Sequence, residues 1–590
     1  MFCVYIYLHI VITFSSNLRI PYEPTTDADD IDGGGLHILP ESGCTSNALP
    51  VETVPQAATP SCSNEVAIRS SLVKVQKSML DYAPLDDKGS KKCTLAVTKF
   101  LATGMQPYSL VDEEPFREMV KTLNPRYIMP GRKYFSNTAI PKLYLDAVEK
   151  LKGMLPKSNE HLSLTCDCWT SLAGQPYLAI TAHFIDSNWN LISACLNCCY
   201  FDENHSAENI KKIIQNKLEE WGLLLQSVVS CTTDNGANVI SAAELLKITR
   251  IPCFAHSINI GVNRCIEVPQ IKKAVARLKS LQNAIAHSWK MKRDLHEAQK
   301  LLECEVKNLP SACPTRWWST LKLCQRFLTN QLPLCKMLQN FPNQKHLMPE
   351  GSEVSGIESF IQVVSVLENV TENLSGETFV TSSSVLPLIR QIKKNVKPNS
   401  DDTVLLKTLK EKILHSLERY DEVPLKEILQ KSTFLDPRFR LYFFDDDVKD
   451  SVKKLVSNEL KALHSKTNFV PLLNSPPRKR KKGLSALLDY GDSLSDNTKD
   501  QSEIEIERYL SLPKIGLDDD PLEWWKNYSS SFPSLSILSK KYLSMQGSSV
   551  PSERVFSKGG NVVNKKRCTL SPKNAEMQIF LAYNKKILGL

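Results

Sequence analysis

The sequence has no apolar run long enough to cross a bilayer, no spaced framework of cysteines and no large excess of either charge. A membrane helix needs about 20 apolar residues. The apolar residues 1–14 fall short of that, and no Lys or Arg precedes them as it would in a secretory signal. They read as a disordered start or a gene-model artefact. The 17 cysteines are scattered, and Cys166, Cys168, Cys195 and Cys231 sit inside apolar runs. Such thiols read as buried and free, the habit of a reducing compartment, and not as a disulfide scaffold. Cys195 and Cys198 form the one C-x-x-C pair, inside an expected strand. Strand alternation places an odd spacing on opposite faces, so the two are not expected to share a metal. Cys44, Cys62 and Cys93 are unsuitably spaced for a zinc finger, and zinc is not expected in this chain. The formal charge of +9 favours an anionic partner without proving one.

What the sequence does contain is the composition of a globular protein, 42% hydrophobic and 23% charged over 590 residues. That length exceeds one hydrophobic core and suggests roughly three or four units. Residues 1–92 read as a disordered leader rich in Ser, Thr, Pro, Gly and Asp. Residues 93–158 form an N-terminal helical region, with apolar spacing of helical period at 94–101, 115–123 and 140–155. The period then changes. Strands are expected at 162–169, 177–185, 191–201 and 227–233. A helix at 206–221 interrupts them, N-capped by Ser206, with Ile210, Ile213, Ile214, Leu218 and Trp221 along one side. The order β-β-β-α-β allows an antiparallel meander whose crossover helix returns the fourth strand parallel to the first. It is the order that begins an RNase H-like fold, here over residues 159–262. Residues 263–464 read as helical, 465–502 as a basic and polar linker, and 503–590 as alternating helix and turn.

Asp167 lies within an otherwise apolar strand, where a carboxylate is costly unless a cation or donors meet it. Asp234 ends the fourth strand. In this strand order the two are neighbours, and a divalent metal would relieve their repulsion. Mg²⁺ takes carboxylates together with water and phosphate oxygens, and a pair of such ions serves phosphodiester chemistry. Taken singly, an Asp after a strand is usually a turn or cap residue.

Five stretches together carry a family resemblance: CDCWTS at 166–171, TDNGAN at 233–238, CFAH at 253–256, PTRWWST at 314–320, and PSERVFS at 551–557 with GGN at 559–561. In this order, across residues 94–590, they resemble the acidic, C-x-x-H, R-W and C-terminal motifs of hAT transposases, and among these the BED-finger hAT-derived proteins of animals. No BED finger is visible in this sequence. The resemblance implies an α/β fold, an RNase H-like domain interrupted by a large all-helical insertion and followed by a C-terminal hAT dimerisation segment. It implies Asp167, Asp234 and Glu553 as catalytic and metal-holding residues, with Mg²⁺ as cofactor if the chain is active. Glu553 is expected in the first turn of a helix ended by Gly559 and Gly560. The resemblance also assigns Arg316, Trp317 and His256 to DNA, Trp317 by stacking on an extruded base. A core tryptophan beside a buried arginine stem is the alternative, and Trp318 departs from the family pattern. Cys253 and His256 shape the catalytic pocket on the family reading, and simply pack on the other.

Two further stretches bear on partners. Arg478, Lys479, Arg480, Lys481 and Lys482 concentrate positive charge in a polar linker, as nuclear-import signals do. Near the C-terminus Ser571 and Pro572 open a helix on which Met577, Phe580, Leu581, Ile587 and Leu588 share one side. That stripe docks either on the RNase H-like core or between subunits, and the resemblance favours dimerisation. The resulting expectation is a nuclear, DNA-binding, dimerising transposase-derived protein, domesticated for a transcriptional or chromatin role and without a membrane association. An active Mg²⁺-dependent DNA transposase and a protein-interaction scaffold are the alternatives.

Overall fold

The structure is a computed structural model that describes residues 85–157, 160–171, 174–313, 318–373, 379–467, 501–563 and 570–590. Expectations for residues 1–84 of the leader, for Arg316 and Trp317, and for the basic run 478–482 lie outside the described residues.

The sheet is built from β1 (Leu162–Thr170), β2 (Pro176–Ile185), β3 (Leu191–Tyr200), β4 (Val228–Thr233) and β5 (Arg250–Pro252), in the spatial order β3-β2-β1-β4-β5. β1, β2 and β3 form an antiparallel meander, while β4 runs parallel to β1 and β5 parallel to β4. The meander and parallel return follow the sequence pattern, and the short β5 extends it. Helices α1 (Asp87–Thr103), α2 (Glu114–Leu123) and α3 (Ile140–Met154) precede the sheet. α1 starts inside the stretch read as leader, because Asp86 caps it by accepting from Gly89 N. α4 (Ala207–Glu220) is the crossover, capped by Ser206 through Asn209 N, and α5 (Ala237–Leu246) and α6 (Phe254–Ile266) flank β5.

A long helical region comes next: α7 (Pro269–His287), α8 (Trp289–Leu301), α9 (Ser319–Thr329), α10 (Gln331–Gln339), α11 (Gly351–Asn373), α12 (Val385–Asn395), α13 (Val404–Leu417), α14 (Leu425–Leu435) and α15 (Asp446–Thr467). The chain then runs through α16 (Gln501–Ser511), α17 (Pro521–Tyr528) and α18 (Pro533–Leu543) to α19 (Val550–Val562) and α20 (Pro572–Leu588). The buried Arg440 clasps the helical region to α16 and α17: it donates to Leu512 O and lies over the rings of Tyr509 and Trp524 at 4.7 and 5.6 Å. Among the described residues no helix is long and apolar enough to cross a membrane.

The two faces of the sheet differ in chemistry. Leu162, Leu164 and Cys166 of β1 and Leu178, Ile180 and Ala182 of β2 join a buried apolar core with α3, α4 and α20. Full burial of each large aliphatic side chain contributes about 1.5–3 kcal/mol. The alternate residues Ser163, Thr165, Asp167 and Trp169, with Thr181 and His183, form the other face. This face is too polar to close by apolar contact alone. Segment 544–562 covers it with hydroxyls and rings: Ser544 Oγ lies 3.4 Å from Ser163 Oγ, Ser552 Oγ is 2.5 Å from Thr165 Oγ1, and Phe556 stacks on Trp169.

The expected dimerisation stripe belongs to this core. Met577, Phe580, Leu581 and Leu588 are buried, and Ile587 packs against the same cluster. Phe580 meets Tyr144 edge-on and stacks on Trp221 at centroid distances of 5.1 and 5.9 Å. The polar interruption Asn584 is fully buried, where it accepts from Cys195 N and donates to Cys195 O at 2.9 and 2.8 Å. It thereby satisfies one residue of the open edge of β3. The stripe's apolar surface is covered within a single chain.

A bulge in β3 corrects the reading of the C-x-x-C pair. Thr181 opposes Cys195 and Ile180 opposes Asn197, which leaves Leu196 as an extra residue. The extra residue restores parity, so Cys195 and Cys198 pack on the same face in one apolar cluster with Val555 and Ile579. Both thiols are buried, and burial pushes each well above the ordinary thiol range. The cysteines among the described residues are free.

Candidate active site

Parallel pairing brings the two aspartates together. Thr165 pairs with Thr232 and Cys166 with Thr233, so Asp167 and Asp234 follow one residue further along adjacent strands. In-register parallel neighbours share a face, here the polar one. Asp167 accepts from the backbone N of Cys168 at 2.8 Å, and Asp234 from Gly236 N at 3.1 Å. Arg250 of β5 holds the loop after Asp234 from behind. It donates to Thr233 Oγ1 and to Asn235 Oδ1 at 2.8 Å each, and to the carbonyl of Asp234. Arg419, from the helical region, donates to the same Asn235 side chain.

Glu553 arrives from 319 residues further on than Asp234. Its approach is fixed by a run of unusual anchors. Thr232 Oγ1 donates to Gln546 O at 2.7 Å, Phe254 N to Gly547 O at 2.9 Å, and Gly547 N to Thr381 Oγ1 at 2.9 Å. Gly547 admits no side chain here, because a Cβ would lie 2.9 Å from Val385 and 3.1 Å from the Thr381 carbonyl oxygen. Ser549 then opens α19, with Pro551 and Glu553 in its first turn. Cys253 joins the two halves: its Sγ accepts from His256 N at 3.4 Å and from Ser549 N at 3.2 Å, so one buried sulfur caps the starts of both α6 and α19. Burial pushes its thiol up to about 11.

Gly559 and Gly560 do not end α19, which continues to Val562. Gly559 instead allows close approach to the sheet, since a Cβ there would meet the Trp169 ring at 3.1 Å. Ser552 and Phe556 thus clamp Thr165 and Trp169, the residues on either side of Asp167 on its own face, with Glu553 beside Ser552. The sequence signal for this clamp was present, as the alternation Thr165, Asp167, Trp169 in β1, but its partners were separated from it by most of the chain.

The electrostatics reflect this crowding. Asp167, Asp234 and Glu553 are each half-buried. Burial, then the charge of Asp234, then that of Glu553 hold the Asp167 carboxyl well above its usual range. Burial raises Glu553 too, Asp234 adds to the rise, and a hydrogen bond from Ser549 Oγ at 3.5 Å opposes it. Three acids therefore interact with one another. Among the described residues, no Lys or Arg forms an ion pair with any of them. His256 stands in the first turn of α6, half-buried. Burial lowers its imidazole pKa, Asp234 opposes this, and Arg419 and Arg250 reinforce it.

Hard oxygen donors that repel one another, with none of their carboxylates in a Lys or Arg ion pair among the described residues, fit a divalent cation of the Mg²⁺ kind. Among the described residues no three His, Cys, Asp or Glu side chains already stand in an arrangement that could hold a metal ion. Their side chains would have to move to share one. Trp318, beside the undescribed Arg316 and Trp317, packs within the helical region. It takes a left-handed backbone at φ 64° as the N-cap of α9, and its indole donates to Thr371 Oγ1 at 2.9 Å within the helical region.

A mixed sheet of this order, two aspartates side by side at the ends of its parallel strands, and a long helical region before a C-terminal return define an RNase H-like fold. Comparison with known proteins narrows the class. Residues 165–251 match the ZBED1 RNase-like domain, and residues 505–584 match the hAT family C-terminal dimerisation region. Over these two segments the chain is similar to hAT transposases, and it is distantly similar to BED zinc-finger proteins and to transposases alike. It is 23% identical to the human zinc finger BED domain-containing protein 4, over 91% of this chain and 47% of that protein. It is 23% identical to the putative AC transposase of Zea mays over 80% of this chain and 62% of the relative. It is also 23% identical to the Hobo transposase of Drosophila melanogaster, over 79% of this chain and 78% of the relative. The chain thus spans about half to two thirds of the length of the first two of these relatives.

Proposed function

We propose that this chain is a nuclear, self-associating DNA-binding protein in which Asp167, Asp234 and Glu553 form a Mg²⁺-dependent centre for breaking phosphodiester bonds. The observation that supports the reading is that the charge of Asp234 raises the carboxyls of both Asp167 and Glu553, with Glu553 raising Asp167 as well. Bound there, Mg²⁺ would supply activation of a water and stabilisation of the leaving oxygen. The chain's own part is positional. β1 and β4 hold two carboxylates side by side, and the Cys253 and Thr165 contacts set α19 so that Glu553 faces them. His256, kept neutral near pH 7 by burial, offers a hydrogen bond to a phosphate without adding charge. A nicking assay with Mg²⁺ on DNA bearing matched terminal repeats tests the proposal. Asp234→Asn should abolish cleavage and leave the fold intact, and full-rate cleavage by that variant refutes the metal role.

A second reading is a domesticated DNA-binding protein with a transcriptional or chromatin role and no cleavage. Two observations favour it: the likeness over 91% of the chain to a BED zinc-finger protein, and the lack of a ready three-ligand arrangement among the described residues. DNA binding without nicking at any Mg²⁺ concentration would select it. Self-association is supported by the match to the dimerisation region, and light scattering on the full chain reads it directly. The nuclear assignment rests on Arg478–Lys482 of the sequence. Alanine at those positions should shift a tagged protein toward the cytoplasm, and undiminished nuclear accumulation would remove the run's role.

A further inference from the structure

Helix α8 carries a face that the chain does not use for packing. Met291, Leu295, Ala298 and Gln299 turn inward and are buried. Trp289, Lys292, Arg293, His296 and Lys300 follow the i, i+3, i+4, i+7, i+11 spacing of a single helical stripe. Trp289 is 68% exposed. Its ring has the Arg293 guanidinium carbon 5.3 Å and Lys290 Nζ 5.9 Å from its centroid. The stripe borders an open recess of about 610 Å³ to which His287 contributes. Asp294 and Glu297 meet the charge of Arg293, but Lys290, Lys292 and Lys300 form no ion pair among the described residues.

A lone exposed tryptophan needs no explanation. A tryptophan at one end of a cationic stripe, with its ring already flanked by cations, presents a planar stacking surface and phosphate partners together. We propose that this face of α8 binds an unpaired nucleic-acid strand, with a base stacked on Trp289 and phosphates against Lys292, Arg293 and Lys300. The inference rests on the DNA-binding reading above and adds a surface separate from the three carboxylates. Residues 289–300 extend over about 16 Å at 1.5 Å per residue, long enough to follow an extended strand past more than one phosphate. An acidic peptide would answer the lysines but leave the indole face without a planar partner. Stacking on aromatic side chains along a basic track is how sequence-tolerant single-strand binding is achieved.

The test measures binding by the full chain to a labelled oligothymidylate of about 20 nucleotides, to a duplex of equal length and to polyglutamate, by fluorescence anisotropy at several salt concentrations. Trp289→Ala should weaken single-strand binding roughly 5- to 100-fold, and Trp289→Phe, which keeps an aromatic face, should stay near wild type. Lys292→Ala with Lys300→Ala should reduce the slope of log affinity against log salt by about 1.4. Trp289 and Lys300 are exposed and Lys292 is half-buried, and an unchanged circular dichroism spectrum is expected alongside. Unaltered single-strand binding by Trp289→Ala, with wild-type duplex binding intact, overturns the α8 assignment and leaves the DNA-binding reading standing. Polyglutamate binding with the same dependence on Trp289 overturns it in favour of an acidic partner. A wild-type chain that binds neither nucleic acid overturns both readings.

Discussion

Cys253 is the point at which the C-x-x-H motif and the third acid become one structure, and its removal has a calculable cost. Its Sγ accepts from His256 N and Ser549 N, and the residue is fully buried. In Cys253→Ala both amides lose their acceptor where water does not replace it. Sulfur is a weak acceptor, so each loss belongs at the low end of the range for an unsatisfied buried donor, about 1 kcal/mol. Removing one buried heavy atom adds about 1 kcal/mol of lost packing. The sum is about 2–3 kcal/mol, concentrated at the starts of α6 and α19. Native-state hydrogen exchange reads such local opening directly. A loss of about 1–2 kcal/mol felt at either amide should speed exchange at His256 and Ser549 roughly 5- to 30-fold. Amides of α7 should be unaffected. Cys253→Ser keeps an acceptor and should retain most of the protection. If Cys253→Ala leaves the two amides as slow as in the wild type, the sulfur is packing alone, and the positioning of Glu553 must be sought elsewhere.

Other outcomes rest on the same geometry. Asp167 has its carboxyl raised in the folded chain, so its protonated form favours folding; that contribution is present below the unfolded value near 3.8 and lost as pH rises through the folded value. Asp167→Asn should therefore raise the melting temperature at neutral pH without Mg²⁺, with the gain shrinking toward low pH, and should abolish any stabilisation by added Mg²⁺; a variant that melts below wild type at pH 7 refutes the repulsion argument. Phe580→Ala removes a buried ring from between Tyr144 and Trp221 and should cost about 3–5 kcal/mol of stability. Light scattering below its melting transition should still report the wild-type association state, and a folded monomer would show that Phe580 itself holds the copies together.

The meander, the crossover and the parallel fourth strand were legible because each rests on a local signal: period-two alternation, Ser206 as a cap, and a turn after Asp234. β5 was not, since three residues between α5 and α6 show no period and gain their pairing from β4. The bulge at Leu196 left no mark in composition, yet it reversed the faces assigned to Cys195 and Cys198. Gly559 and Gly560 look like a helix end, since glycine costs about 1 kcal/mol in a helix interior. Packing against Trp169 outweighs that cost. The C-terminal stripe was visible as a stripe, but nothing in its spacing distinguishes an intramolecular cover from a second copy.

The acids themselves show how far a strand can announce a site. β1 alternates between Leu162, Leu164 and Cys166 on one side and Ser163, Thr165, Asp167 and Trp169 on the other. An apolar side explains itself by burial. A polar side that is also covered requires partners of matching chemistry, and in this fold they are Ser544, Ser552 and Phe556. None of these is close to β1 in sequence, and none could be paired with it by spacing. Asp167 and Asp234 are therefore a property of the sheet, readable from strand order, whereas Glu553 joins them only through the return of segment 544–562. A chain cut before Ser544 would lose α19 from the polar face and α20 from the apolar one, leaving both faces of the sheet uncovered. The site and the closure of the sheet are one feature, and a perturbation that frees α19 must disturb both together.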